Sequence, residues 1–171
     1  PARKGLHQAL KDALETVTGP ASEVIGKYQV EAERINLLNN HGIFIEVAPG
    51  AEGVEMFQDE TKFRRIAGNL IKNALHHRRQ RIDVHMETRG DRLALSVRDD
   101  GPGIEPHLHE FIFKRYTQVK ECELVERKGH GLGLAGSLIM ARSLGGDIQV
   151  ASRKGEGATF HLTLPLQLKS F

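Results

Sequence analysis

Cysteine is nearly absent. The 171-residue chain holds one, Cys122, so it has no internal disulfide, and the charged setting KECELVER suits a reducing compartment. Tryptophan is missing and aromatic residues make up only 5% of the chain, too few for the stacking platforms that grip single-stranded nucleic acid. No apolar run approaches the roughly 20 residues that cross a bilayer. The opening PARKGLHQALKDALE is charged and amphipathic rather than signal-like. An excess of one charge sign is lacking too. The 24 Lys and Arg against 22 Asp and Glu leave a net charge of +2, and they are interspersed instead of forming the basic stripe of a nucleic-acid binder. These absences argue against a disulfide scaffold, a membrane-contacting segment and a nucleic-acid partner. They point to a cytoplasmic domain of ordinary size, burying about two-thirds of the surface its unfolded chain exposes. The chain opens on Pro1 with no methionine, which suits a piece of a longer protein.

Hydrophobic spacing then divides the chain. In 5–18 the residues Leu6, Leu10, Ala13 and Leu14 recur at helical intervals before the stop signals Thr18, Gly19 and Pro20. A second helical pattern runs from 21 to 39 through Val24, Ile25, Tyr28, Ala32, Ile35 and Leu38, so residues 1–40 read as a helical lead-in. The period changes at IFIEVA and VEMF, a pair of short strands separated by the turn PGAEG. Asp59 and Thr61 offer a cap to a long helix, Lys62 to His77, with Phe63, Ile66, Leu70, Ile71, Ala74 and Leu75 on one stripe.

Strands RIDVHMETR and RLALSVRD follow, joined at Gly90 and Asp91. Residues 104–128 lose periodicity apart from a short helical turn around HLHEFIFKRY, and such a long loop is expected to be a functional lid. LAGSLIMARSLGG restores the helical period, and DIQVASR and ATFHLTLPL close the chain around the turn KGEG. Helices among strand pairs predict an α+β fold, a two-layer sandwich of a mixed β-sheet with helices on one face.

Three segments carry chemistry. GNLIKNALHH sets Asn69 and Asn73 four residues apart on one helix face, where an amide oxygen could bind Mg²⁺ or simply bond a neighbouring backbone. In VRDDGPGIEP a strand ends at Asp99, ahead of Gly101 and Gly103. A carboxylate there suits the exocyclic amine of adenine, and glycines let backbone approach a flat ring; a capped tight turn has the same composition. KGHGLGLAGSLIMA places Gly129, Gly131 and Gly133 ahead of an apolar helix, a setting in which free N–H groups face an anion. It has neither dinucleotide-fingerprint nor P-loop spacing. His107 and His109 lack a second cluster at ligand spacing, which counts against a zinc site.

The order NLIKNA, DDGPGI, GHGLGL, GEGATF resembles the Bergerat-fold ATPases, the superfamily of gyrase, the ninety-kilodalton heat-shock chaperone, histidine kinases and mismatch-repair ATPases. The resemblance covers about 42–166. It implies that Asn73 binds Mg²⁺, that Asp99 reads adenine, and that Gly129, Gly131 and Gly133 wrap the triphosphate of ATP beneath the 104–128 lid. It extends the nucleotide-contacting set to Asn69, His76, His77, Gly101, Gly103, Tyr116, Lys128, His130, Leu132, Leu134 and Thr159. Hydrolytic and serine-directed members usually carry a glutamate base where this chain has Asn69. A neutral imidazole needs no such base, so the resemblance narrows to sensor histidine kinases, with Asn69 and Asn73 at the catalytic centre. Phe113 and Tyr116 in FIFKRYTQV resemble that family's aromatic box.

The resemblance also implies an upstream dimerisation and phosphoacceptor domain, a response regulator receiver domain as partner, and a homodimeric full-length protein. The chain departs from it at His76 and His77, where the pattern often has a lysine that meets phosphate and a tyrosine that packs on the base. That departure keeps a noncatalytic nucleotide-sensing domain as an alternative, beside a serine-directed kinase and a gyrase-like hydrolase.

Overall fold

A computed structural model describes residues 36, 38–51, 60–114 and 130–166. The expected helix over 5–18, nearly all of the one over 21–39, and the strand VEMF lie outside them. Within them the chain runs as strand β1 (Ile43–Val47), helix α1 (Glu60–His77), strands β2 (Ile82–Arg89) and β3 (Arg92–Asp99), helix α2 (His130–Ser143), and strands β4 (Asp147–Ser152) and β5 (Ala158–Pro165). Short 3₁₀ turns at Pro49–Ala51, Pro106–Leu108 and Phe111–Phe113 punctuate the connections.

The strands form one mixed sheet in the order β1-β2-β3-β5-β4, parallel only between β1 and β2. Alternation of side chains, together with the register, decides what each face holds. Ile82 stands opposite Ile43 and Asp99, Val84 opposite Val97, and Met86 opposite Leu95, while Phe160 pairs with Val97 and Leu162 with Leu95. These residues share one face and are buried. Their neighbours Asp83, His85, Ser96, Arg98 and His161 occupy the other, polar face. The α+β sandwich with helices on one face is therefore the observed fold.

The apolar stripe read from the sequence is the face of α1 that covers the sheet: Phe63, Ile66, Leu70, Ile71 and Ala74 are each 0% exposed. α2 lies beside α1, and its Leu134 and Ala141, with Leu144 just after the helix, close the core. Burying each of the leucine, isoleucine and phenylalanine side chains is worth about 1.5–3 kcal/mol. Gly145 (φ 82) ends α2, its N–H donating to the Arg142 carbonyl.

The link from α1 to β2 is held by a side chain that composition alone does not single out. The Asp100 carboxylate accepts backbone N–H bonds from Arg79 (2.8 Å), Gln80 (3.1 Å) and Arg81 (3.2 Å). Partial burial works against its charge, but those N–H donors outweigh it and hold the carboxyl below the usual carboxylate range. A lowered value in the folded state contributes stability above the ordinary range that is lost as pH falls through the lowered value. Asp100→Ala is expected to cost about 1 kcal/mol, as for a lost cap. In a thermal melt this reads as a drop of roughly 2–6 °C at neutral pH, shrinking in strong acid. A melt unchanged at neutral pH would show that the three bonds are dispensable.

Candidate nucleotide site

Asp99 ends β3 on the helix-facing side and is 3% exposed. Its Oδ1 accepts the Gly101 N–H at 2.8 Å. Burial raises its carboxyl above the ordinary value, and the charge of Asp100 adds to the rise, against the backbone donors of Gly101 and Ala158. Raised values produced by burial gather at functional sites.

The glycines after Asp99 are there for contact. A Cβ on Gly101 would sit 2.2 Å from the His77 carbonyl oxygen, so the loop can lie on the end of α1 only with glycine at this position. A Cβ on Gly103 would meet the Arg153 carbonyl oxygen at 1.9 Å, at φ +75. The β4–β5 turn supports the same loop. Gly155 N–H donates to the Pro102 carbonyl at 2.5 Å, and the Ser152 hydroxyl accepts the Ile104 N–H (2.8 Å) and donates to the Gly157 carbonyl (2.6 Å). The motif GEGATF is thus a buttress beneath the Asp99 loop.

α1 brings two amides to the same region. Asn73 is 8% exposed, and no described residue hydrogen-bonds its side chain. Of the described buried side-chain nitrogens and oxygens only Arg64 Nε is left unpaired, so the Asn73 amide keeps contact with solvent, and its oxygen is open to an oxygen-seeking cation such as Mg²⁺. Asn69, one turn earlier, donates from Nδ2 to the Ser137 hydroxyl at 2.9 Å, joining α1 to α2. His76 and His77 form an edge-to-face pair at the end of α1, ring centroids 4.9 Å apart.

Three expectations are corrected. Helix α2 begins at His130, so Gly131 and Gly133 lie within its first turn rather than ahead of it. The first four N–H groups of a helix lack intrahelical acceptors, so this turn still offers donors to a phosphate. Leu134 lies beyond those four and its side chain is in the core, which removes it from the contacting set. Thr159 is cross-strand from Arg98, and alternation turns it to the polar face; Ala158, opposite Asp99, is the residue on the site side. Tyr116, Lys128 and Gly129 lie outside the described residues, and of His130 and Leu132 only the helical backbone is described. Phe113 packs edge-on against Phe160, centroids 6.0 Å apart. His109 Nε2 is 3.0 Å from the Ile104 carbonyl oxygen, and among the described residues no group of three His, Cys, Asp or Glu is placed to hold a metal.

Ser137, Ser152, Asp100 and Gly157 were not singled out in the sequence. Ser137 had a signal, as a polar residue inside the apolar stretch LAGSLIMA. The hydroxyl of Ser152 and the φ of +74 at Gly157 had none.

A sheet carrying a buried strand-end aspartate, an amide-bearing helix and a glycine-rich helix start defines an ATP-site architecture, and comparison with known proteins agrees. Residues 58–168 match the family described as histidine kinase-, DNA gyrase B-, and HSP90-like ATPase, and the chain belongs to that family.

Among curated relatives, sensor histidine kinase MtrB of Mycolicibacterium paratuberculosis is 34% identical over 77% of this chain and 23% of its own length. Sensor histidine kinase AruS of Pseudomonas aeruginosa is 38% identical over 73% of this chain and 13% of its own. Aerobic respiration control sensor protein ArcB of Escherichia coli is 39% identical over 64% and 14%. The chain thus spans less than a quarter of each of these relatives. Its fold matches the catalytic domain of histidine kinase ThkA, with a TM-score of 0.62 at 23% identity, covering 86% of this chain and 93% of that one. No helix among the described residues is long and apolar enough to cross a membrane.

Proposed function

We propose that this chain is the catalytic, ATP-binding domain of a sensor histidine kinase. It binds Mg·ATP between α1 and the 104–128 lid and presents the γ-phosphoryl to a histidine on a separate dimerisation domain. The observation that carries the reading is the buried Asp99 carboxylate, held by Gly101 in a loop laid on the end of α1. Asp99 would accept the exocyclic amine of adenine, Asn73 would offer its amide oxygen to Mg²⁺, and the first turn of α2 would meet the phosphates. Mg·ATP, when bound, supplies the phosphoryl group and neutralises charge during its transfer. The protein's share is positioning, and the neutral amide of Asn69 suits an acceptor imidazole that needs no base.

Full-length ShkA, which shares the fold at TM-score 0.62 and 24% identity over 99% of this chain and 38% of its own, was crystallised with AMPPNP, and this supports the reading. The wider proposal follows the same relatives. Residues 1–40 lead in from an upstream dimerisation and phosphoacceptor domain, 41–171 form the ATP-binding domain, and the full-length protein works in the cytoplasm as a homodimer that passes phosphate to a response regulator receiver domain. The paired histidines 76 and 77 favour one second reading, a domain that binds nucleotide without transferring phosphate.

The test is nucleotide titration with Mg²⁺ or EDTA, followed by incubation with a supplied dimerisation domain. Native protein is expected to bind more tightly with Mg²⁺, Asn73→Ala is expected to lose most of that gain, and the transferred phosphate is expected to be acid-labile and base-stable. Binding without transfer supports the second reading, acid-stable phosphate indicates a serine acceptor, and no binding ends the proposal.

A further inference from the structure

Ser137 is the one fully buried hydroxyl on α2, 0% exposed between the apolar residues Leu134 and Ala141. Its Oγ donates to the Gly133 carbonyl at 2.7 Å, one turn back along the helix. A serine has a single hydroxyl proton, and here it is committed. The same oxygen must therefore act as acceptor for Asn69 Nδ2, 2.9 Å away. Turning the amide over would require the Ser137 hydroxyl to give up its bond to the Gly133 carbonyl and donate to Asn69 Oδ1 instead. It would also leave Oδ1 facing the Gly133 carbonyl, which Nδ2 now approaches at 3.5 Å. Both costs favour the arrangement with the NH₂ end of Asn69 toward Ser137.

We propose that Ser137 is a positioning residue of the nucleotide site. By engaging the NH₂ end of Asn69 it leaves Oδ1 turned away from α2 and available to the Mg·ATP side. Through Gly133 it also ties the first turn of α2, which meets the phosphates, to α1, which carries both asparagines. One hydroxyl thereby sets the metal-side amide and the phosphate-side helix in register. The inference rests on the site being an Mg·ATP site.

The experiment titrates the full chain with a fluorescent ATP analogue in Mg²⁺ and in EDTA, and reads the factor by which Mg²⁺ tightens binding. Ser137→Ala is expected to cut that factor roughly fivefold, the value of one hydrogen bond, and Ser137→Thr, which keeps a hydroxyl, to restore most of it. Asn69→Ala is expected to cut the factor as well, and Ser137→Ala added to it to change nothing more, the non-additivity of residues that act as a unit. A factor that survives loss of the hydroxyl in a folded Ser137→Ala, or two losses that add, overturns the positioning role alone. Native protein with no Mg²⁺ gain overturns the site reading, and the positioning role with it. Should Ser137→Ala fail to fold, side-chain amide exchange in ¹⁵N-labelled native protein decides. A protected Asn69 NH₂ supports the proposal, and one that exchanges as freely as an exposed amide overturns it.

Discussion

Asp99→Asn is expected to weaken nucleotide binding roughly tenfold to hundredfold, the cost of losing a hydrogen bond to a charged group, while the domain stays folded. The native carboxylate spends Oδ1 on the Gly101 N–H. An asparagine can keep that bond through its own oxygen, but its other terminus is then an NH₂ group, a donor set against the donor amine of adenine. Stability moves differently. Burial raises the Asp99 carboxyl, so the folded state binds its proton more tightly than the unfolded chain does. Stability from this group is therefore fully present below the ordinary carboxylate range and lost as pH rises through the raised value. At neutral pH the native protein carries a buried charge that the amide removes, so the melting temperature of Asp99→Asn is expected to hold within a few degrees. Adenine recognition needs the carboxylate and has the opposite slope: native affinity falls as pH drops through the raised value. Calorimetric titration and a thermal melt check both statements. Unchanged affinity would remove Asp99 from the base-binding role.

Gly157→Ala is expected to damage fold and site together, whereas Gly155→Ala, two residues earlier in the same turn, is expected to do much less. Both glycines have positive φ, +74 and +86, and a left-handed alanine costs about 1–2 kcal/mol. Only Gly157 meets an obstacle. Its Cβ would lie 2.1 Å from the Asp99 carbonyl oxygen, while a Cβ on Gly155 meets nothing within 4 Å. Relieving a backbone clash adds about 1–3 kcal/mol and displaces Asp99, the residue proposed to read adenine. Gly157→Ala should therefore melt well below Gly155→Ala, and only Gly157→Ala should lose nucleotide affinity. Equal losses in the two variants would show that the turn does not support Asp99.

Much of this fold was legible before any coordinates. The stripe Phe63, Ile66, Leu70, Ile71, Ala74 is buried as its spacing requires, and β2, β3, β4 and β5 fall on the stretches whose alternation marks strands. The start of α2 was misread because glycines at 131 and 133 lower helix propensity, yet α2 begins at His130. At Thr159 the motif was recognised, but its face was not. Whether 158 or 159 turns toward Asp99 depends on the register with β3, since a shift of one residue reverses every side chain.

Periodicity and motif order by themselves determined the class of fold, the family and the presence of Asp99, Asn69 and Asn73, because these follow from local spacing along one element. Tertiary structure alone decided how neighbours divide the work. Asp99 is buried beside Ala158 while Asp100 turns outward to cap the link from α1 to β2, and Asn69 is held by Ser137 while Asn73 is left without a partner among the described residues. Two adjacent aspartates, or two asparagines one turn apart, are chemically alike as letters. Their roles separate only when the packing of α2 and of the β4–β5 turn sets which carboxylate loses water and which amide finds a donor or an acceptor.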